Sequence, residues 1–284
     1  GIAAYEWALE ELWPELRPRA IACMEPTWIA PRDYLAQFPV FVFWLDCRVS
    51  QALPPQQALF LERLMGKLPP GTAVYGWWQH GDDGGIGEGR GVQIASRYGK
   101  ITVCTVGAYN LSVHSGLPAP EALAQKRPAF GSLDRKVYVT FLISDGDNFG
   151  MNLYGVIEAQ WEHGMRGKVP VGWGICPTQV ELTPAAVEYW YRTATEMDEF
   201  VCMDGLGYIY PDHYGNALGA PEAQLDQFLR ESGEYMRRMD HRELWYLGGT
   251  GRAGRIAQVV APDGLFGEYG VFPQQRQELM GNTA

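Results

Sequence analysis

The sequence predicts an α/β fold with a largely parallel, (β/α) barrel-like sheet. Three observations predict it. Apolar runs of strand length alternate with amphipathic helical patterns along the chain. The runs are nearly continuous rather than alternating, as in Val137-Tyr-Val-Thr-Phe-Leu-Ile143, which suits parallel strands buried on both faces. Polar residues gather just after the runs, where parallel α/β folds bind ligands.

Taken in order, the expected strands are 40–45, 73–78, 101–106, 137–143, 169–175, 200–203, 244–247 and 265–269. Between them lie helices. Leu61, Leu64, Met65 and Leu68 follow i, i+3, i+4, i+7. Val187, Trp190, Tyr191 and Ala194 do the same behind Thr183-Pro184, an N-cap and first-turn pair. A third helix opens at Pro221 and is striped by Leu225, Phe228, Leu229, Met236 and Met239. About eight βα units fit a barrel; an open sheet or two smaller α/β lobes also fit. The proline-rich stretch Leu117–Arg127, with Pro128 just beyond it, is the best internal boundary. It divides an N-terminal α/β region, 1–128, from a barrel-like C-terminal domain, 129–284.

Composition narrows the function classes. The 284 residues carry 23 basic and 33 acidic side chains, a net charge of −10, which argues against non-specific nucleic-acid binding. No apolar run is long enough to span a membrane. Ten Trp, 15 Tyr and 11 Phe make 13% of the chain aromatic, enough to supply flat ligand-stacking surfaces as well as core. The five cysteines are odd in number and include no C-x-x-C, so buried free thiols are expected rather than disulfides or a zinc site. The opening Gly1-Ile2-Ala3 lacks a signal-peptide pattern and reads as a processed chain or a piece of a longer one. Serine-hydrolase, P-loop and zincin motifs are absent. Gly249-Thr-Gly251-Arg-Ala-Gly254 has dinucleotide-loop letters, but it lies too near the end of this sequence for a full dinucleotide-binding unit.

The polar residues behind the strands are the candidate site. They are Asp46 and Arg48; Trp77, Trp78, Gln79, His80, Asp82, Asp83 and Glu88; Asn110, Ser112 and His114; Ser144-Asp-Gly-Asp-Asn148; Pro177, Thr178 and Glu181; and Asp204 through His213. Ser144–Asn148 places two carboxylates and an amide in one turn, which suits an acid or base, sugar hydroxyls or a cation. An ordinary helix-capping turn would look the same. In Gly205-Leu-Gly-Tyr-Ile-Tyr-Pro211, Tyr208 and Tyr210 share one side of an extended segment. There they either meet a sugar or pack as core. Trp44, Trp77, Trp78 and Trp173 lie near strand ends, where one or two exposed platforms are expected.

Gly205–Pro211 matches G-x-G-Y-x-Y-P letter for letter, and the chain resembles the GxGYxYP family of putative glycoside hydrolases. Val139–Asn148 resembles the family strand ending in S-D-G-D-N. The segments 169–173 and 189–195 resemble the strand and helix that follow it. Pro31-Arg-Asp-Tyr34, Ala95-Ser-Arg-Tyr-Gly99 and Asn110-Leu-Ser-Val113 resemble its N-terminal region. The likeness covers about four fifths of the chain in order. Asp204 departs from the pattern, which usually has a small residue there, and so ranks below Asp145 and Asp147.

The resemblance implies a carbohydrate substrate, no cofactor, and an extracellular or periplasmic location if the chain is like secreted family members. The expectation is a glycoside hydrolase with paired carboxylates: Asp145 or Asp147 against Glu88, Glu181 or Asp204. Asn148 would hold a sugar hydroxyl, and Tyr208, Tyr210, Trp173, Trp77 and Asn110 would line the subsites. Two alternatives stay open. One is a metal-dependent carbohydrate deacetylase with a divalent cation at Asp145 and Asp147, weakened by the lack of a histidine pair. The other is a non-catalytic glycan-binding module.

Overall fold

The computed structural model describes residues 1–16, 18–45, 55–78, 86–128, 134–247, 251–260 and 267–271. Among them, the strands form two all-parallel sheets in an α/β, barrel-like architecture. The first sheet contains β1 (Ala20–Cys23), β2 (Val40–Phe43), β3 (Ala73–Gly76) and β4 (Ile101–Cys104), in the order β2-β1-β3-β4. The second contains β5 (Leu142–Ile143), β6 (Val171–Ile175), β7 (Asp198–Met203), β8 (Glu243–Leu247) and β9 (Gly267–Val271), side by side in chain order, and it curls as a half-barrel.

Two strands differ from expectation. β1 went unforeseen although all four of its residues are buried and it is central in the first sheet. Ala-Ile-Ala-Cys is short and half alanine, which gives little strand signal. The run 137–143 was expected to be a buried strand. Only Leu142 and Ile143 pair, as the edge of the second sheet, and Val137 is 91% exposed. An edge strand has one neighbour; Phe141 O still accepts from Gly172 N–H (2.8 Å), but residues 137–140 of the apolar run lie exposed outside the ladder.

The expected helices form at Pro55–Lys67, Pro184–Thr193 and Pro221–Arg238. Pro184 and Pro221 each take a first-turn position, where the missing N–H costs nothing. Phe60, Leu61, Leu64 and Met65 of the first helix bury against Ile21, Phe41, Phe43 and Val74 of the first sheet. A second core fuses the two sheets: Ile101 and Val103 of β4 share it with Cys202 of β7, Leu244 of β8, and Leu225, Phe228 and Leu229 of the Pro221–Arg238 helix.

One device ties the two sheets together, and a second anchors the connection between them to the second sheet. The first is an antiparallel bridge between Thr102 and Tyr208, in which Tyr208 N–H donates to Thr102 O (2.8 Å) and Thr102 N–H to Tyr208 O (3.2 Å). The second lies in the proline-rich connection. Gln125 behaves there like a strand residue: its amide donates to Phe200 O and Asp240 O and accepts from Phe200 N–H. Arg127 then pairs with Glu199 and Asp240. Cys104, Cys176 and Cys202 are buried free thiols, as expected, and Cys23 is buried too; Cys47 lies outside the described residues. Among the described residues, no helix is long and apolar enough to cross a membrane.

Candidate active site

The Ser144–Asn148 turn follows β5 and is held by its middle glycine. Gly146 O accepts three hydrogen bonds: from Cys176 N–H (2.9 Å), Asn152 Nδ2 (2.9 Å) and Gln179 Nε2 (2.7 Å). The turn lies so close to β6 that a Cβ on Gly146 would stand 1.5 Å from Gly174 O. Asp145 is left-handed (φ 65°) and exposed. Asp147 is buried, 6% exposed. Asn148 caps the Phe149–Tyr154 helix, its Oδ1 accepting from Met151 N–H at 3.2 Å.

The second turn follows β7. Asp204 is also left-handed (φ 55°), a backbone state uncommon for residues other than glycine and frequent at functional sites. Its N–H donates to Trp245 O (2.7 Å), and its Oδ1 accepts from Leu247 N–H (3.0 Å). Gly207, at φ 157°, passes so near β4 that a Cβ would meet Thr102 O at 2.7 Å. That close approach delivers Tyr208 to its bridge. Tyr208 O–H then donates to Glu88 Oε1 at 2.9 Å. Glu88 opens the Glu88–Arg97 helix, and Ser96 Oγ in the same helix accepts from Tyr210 N–H (2.9 Å).

Four carboxylates therefore share one electrostatic neighbourhood. Burial raises Asp147 to about 7, against the stabilising backbone N–H; the charges of Asp145 and Glu88 raise it further. Burial also holds the Asp204 carboxyl well above the ordinary range, reinforced by Asp147 and opposed by the Leu247 N–H. Glu88 and Asp145 are exposed beside this buried pair. Trp77 stacks on Tyr208 (centroids 6.1 Å apart, 25° between planes), and Tyr210 meets Tyr208 edge-on (5.6 Å, 89°). The result is an aromatic wall beside the carboxylates.

The other expected site residues lie elsewhere. Glu181 is exposed and pairs with Arg238. Trp173 is buried, and its Nε1 donates to Asp198 Oδ1 at 3.0 Å within a core that includes Trp161. Trp78 is core, donating to Thr102 Oγ1. Asn110 is exposed and left-handed before the Leu111–His114 helix. Asp46, Arg48, Gln79, His80, Asp82 and Asp83 lie outside the described residues. Two thiols that sequence reasoning had placed only as core adjoin the cluster: burial first, then the Asp147 charge, raises Cys104, and Cys176 is pushed up to about 12. Asn152 and Gln179, which clamp Gly146, carried no local signal, because their role exists only once β6 and the turn meet. Among the described residues, no three His, Cys, Asp or Glu side chains group as metal ligands would.

Fold and site together define an α/β protein whose carboxylate-and-phenol cluster sits at the carboxyl ends of parallel strands, built from both sheets. The chain belongs to the GxGYxYP family: residues 135–283 match the GxGYxYP putative glycoside hydrolase C-terminal domain, and residues 18–116 match the GxGYxYP third domain. A solved structure of a putative hydrolase from Bacteroides thetaiotaomicron VPI-5482 has the same fold, with a TM-score of 0.78 and 23% identity. The likeness covers 95% of this chain and 50% of that one, so the chain spans about half the length of that relative. No curated protein matches the chain.

Proposed function

We propose that this chain carries the active site of a glycoside hydrolase in which Asp147 is the proton donor and Glu88 the ionised partner. One observation carries the reading. A buried carboxyl held at about 7 shares its surroundings with an exposed carboxylate fixed by a phenol. Glycoside hydrolysis asks for that inequality, one carboxyl protonated and one anionic near neutral pH. Asp147 gives its proton to the glycosidic oxygen as the bond to the leaving sugar breaks. Glu88 attacks the anomeric carbon or takes a proton from the attacking water. The Tyr208 O–H donates to Glu88 Oε1 and fixes the direction of that carboxylate. Asp145 is exposed and can accept sugar hydroxyls, and the half-buried Trp77 and Tyr210 can offer faces to the apolar side of a sugar ring, with the buried Tyr208 packed behind them. The family description supports the reaction class. The test is reducing-sugar release across a glycan panel by wild type, D147N, E88Q and D145N. Wild-type hydrolysis lost by roughly 100-fold or more in D147N and E88Q is expected; unchanged rates in both would overturn the assignment.

A further inference from the structure

Hydrolysis needs two carboxylates, and this site gathers four. Among the described residues, the charges acting on the buried pair are negative: Asp145 and Glu88 on Asp147, and Asp147 and Glu88 on Asp204. Asp204, 2% exposed, spends one oxygen on Leu247 N–H; its Oδ2 is buried with no hydrogen-bond partner. Tyr208, whose hydroxyl holds Glu88, packs against the half-buried rings of Trp77 and Tyr210, which carry the open π-faces. Carboxylates with an aromatic wall are the chemistry that recognises an ammonium group: it supplies a positive charge, several N–H donors and a cation–π contact at once. A neutral hydroxyl supplies one donor and no charge, and an anionic sugar would be repelled.

We infer that the sugar bound at this carboxylate cluster carries a free protonated amine, so that the substrate class is a glycan containing amino sugars that are not N-acetylated. The inference rests on the hydrolase reading above. The ammonium would lie among Asp145, Asp147, Asp204 and Glu88 and satisfy the orphaned Asp204 oxygen. It would offset the repulsion that helps hold Asp147 and Asp204 protonated, so binding near neutral pH expels protons. An acylated amine has no charge with which to do this.

The experiment is calorimetry of the whole chain at pH 6.5 with glucosamine, N-acetylglucosamine and glucose, and with the three galacto counterparts. Each is run at low and high salt and in two buffers of different ionisation enthalpy. The expected result is that an amine sugar binds at least about tenfold tighter than its neutral and N-acetylated partners, with net proton release and weakening by salt. D204N and E88Q should each erase most of that preference; Glu88 is exposed, so E88Q keeps the test open if D204N fails to fold. Equal affinities, preference for the N-acetyl form, or a preference unchanged in both variants would overturn the inference. So would tighter binding of Mg²⁺ or Ca²⁺ that displaces the amine, which would give the cluster to a metal. Hydrolysis of neutral glycans without amine preference sinks this inference alone. Amine preference without hydrolysis of any glycan sinks the hydrolase reading alone.

Discussion

Tyr208 donates to Glu88 across 2.9 Å and 120 residues, and the bond joins a turn of one sheet to a helix of the other. Glu88 belongs to the β3–β4 crossover, and Tyr208 follows β7. The site is therefore completed only when the two sheets dock, and the Thr102–Tyr208 bridge sets the phenol where the carboxylate can use it.

Tyr208→Phe removes that bond together with the longer hydroxyl contact to Tyr210 (3.4 Å). The ring, its stacking on Trp77 and the backbone bridge all remain, and only the O–H is lost. A hydrogen bond to a charged group contributes about 1.5–3 kcal/mol. If Glu88 works as proposed, kcat/KM should fall by roughly 10- to 150-fold, with a circular-dichroism spectrum like that of wild type. Steady-state kinetics on whichever glycan the panel identifies checks this; a change under twofold would remove Tyr208 from the chemistry.

Gly146→Ala tests the turn that carries Asp145 and Asp147. The new methyl would stand 1.5 Å from Gly174 O, and backbone on both sides leaves no flexible atom to yield. Moving the turn away also breaks the three hydrogen bonds to Gly146 O. The expected cost is about 4 kcal/mol or more, visible as insoluble expression or a collapsed melting transition. Gly219→Ala is the control, since a Cβ there meets nothing within 4 Å.

Local chemistry made parts of this site legible and hid others. Ser144–Asn148 and Gly205–Pro211 stand out because charged and glycine-rich letters interrupt apolar runs, and the structure puts both turns at strand carboxyl ends. Glu88, Tyr208 and Trp77 were readable as candidates, but their mutual contacts depend on the docking of two sheets. Trp173 and Glu181 looked the same by position as Trp77 and Asp147. Their surroundings differ only in three dimensions, where Asp198 takes the indole N–H of one and Arg238 the carboxylate of the other. β1 was silent because alanine satisfies a tight central strand without announcing it.

The pH dependence should have a definite sign. Asp147 acts as an acid only while protonated, and its folded value is about 7 against an ordinary 3.8. Activity should therefore fall as pH rises through about 7. Stability moves the same way: between 3.8 and 7 the folded chain holds a proton on Asp147 that the unfolded chain has lost, so this group destabilises the fold progressively as pH rises across that window. Asp147→Asn removes the ionisation. It should abolish the basic limb of any residual kcat profile while flattening the loss of stability between pH 4 and 7, measured by urea unfolding.

His241 supplies a slope of the opposite sign, beside Arg127 and Asp240. It is 2% exposed, and neither ring nitrogen has a hydrogen-bond partner. Burial, with the Arg127 charge added and Asp240 opposing, lowers it from 6.5 to about 3. The folded chain thus keeps this imidazole neutral while the unfolded chain protonates it. Its contribution is intact above 6.5 and lost as pH falls toward 3. At pH 5 the loss relative to pH 7.5 should be about 2 kcal/mol. His241→Phe keeps a flat ring, sacrifices no hydrogen bond and cannot titrate. Urea unfolding of both proteins at the two pH values checks it: the variant should lose about 2 kcal/mol less than wild type on acidification, and equal losses would show that His241 is charged or solvated in the folded chain.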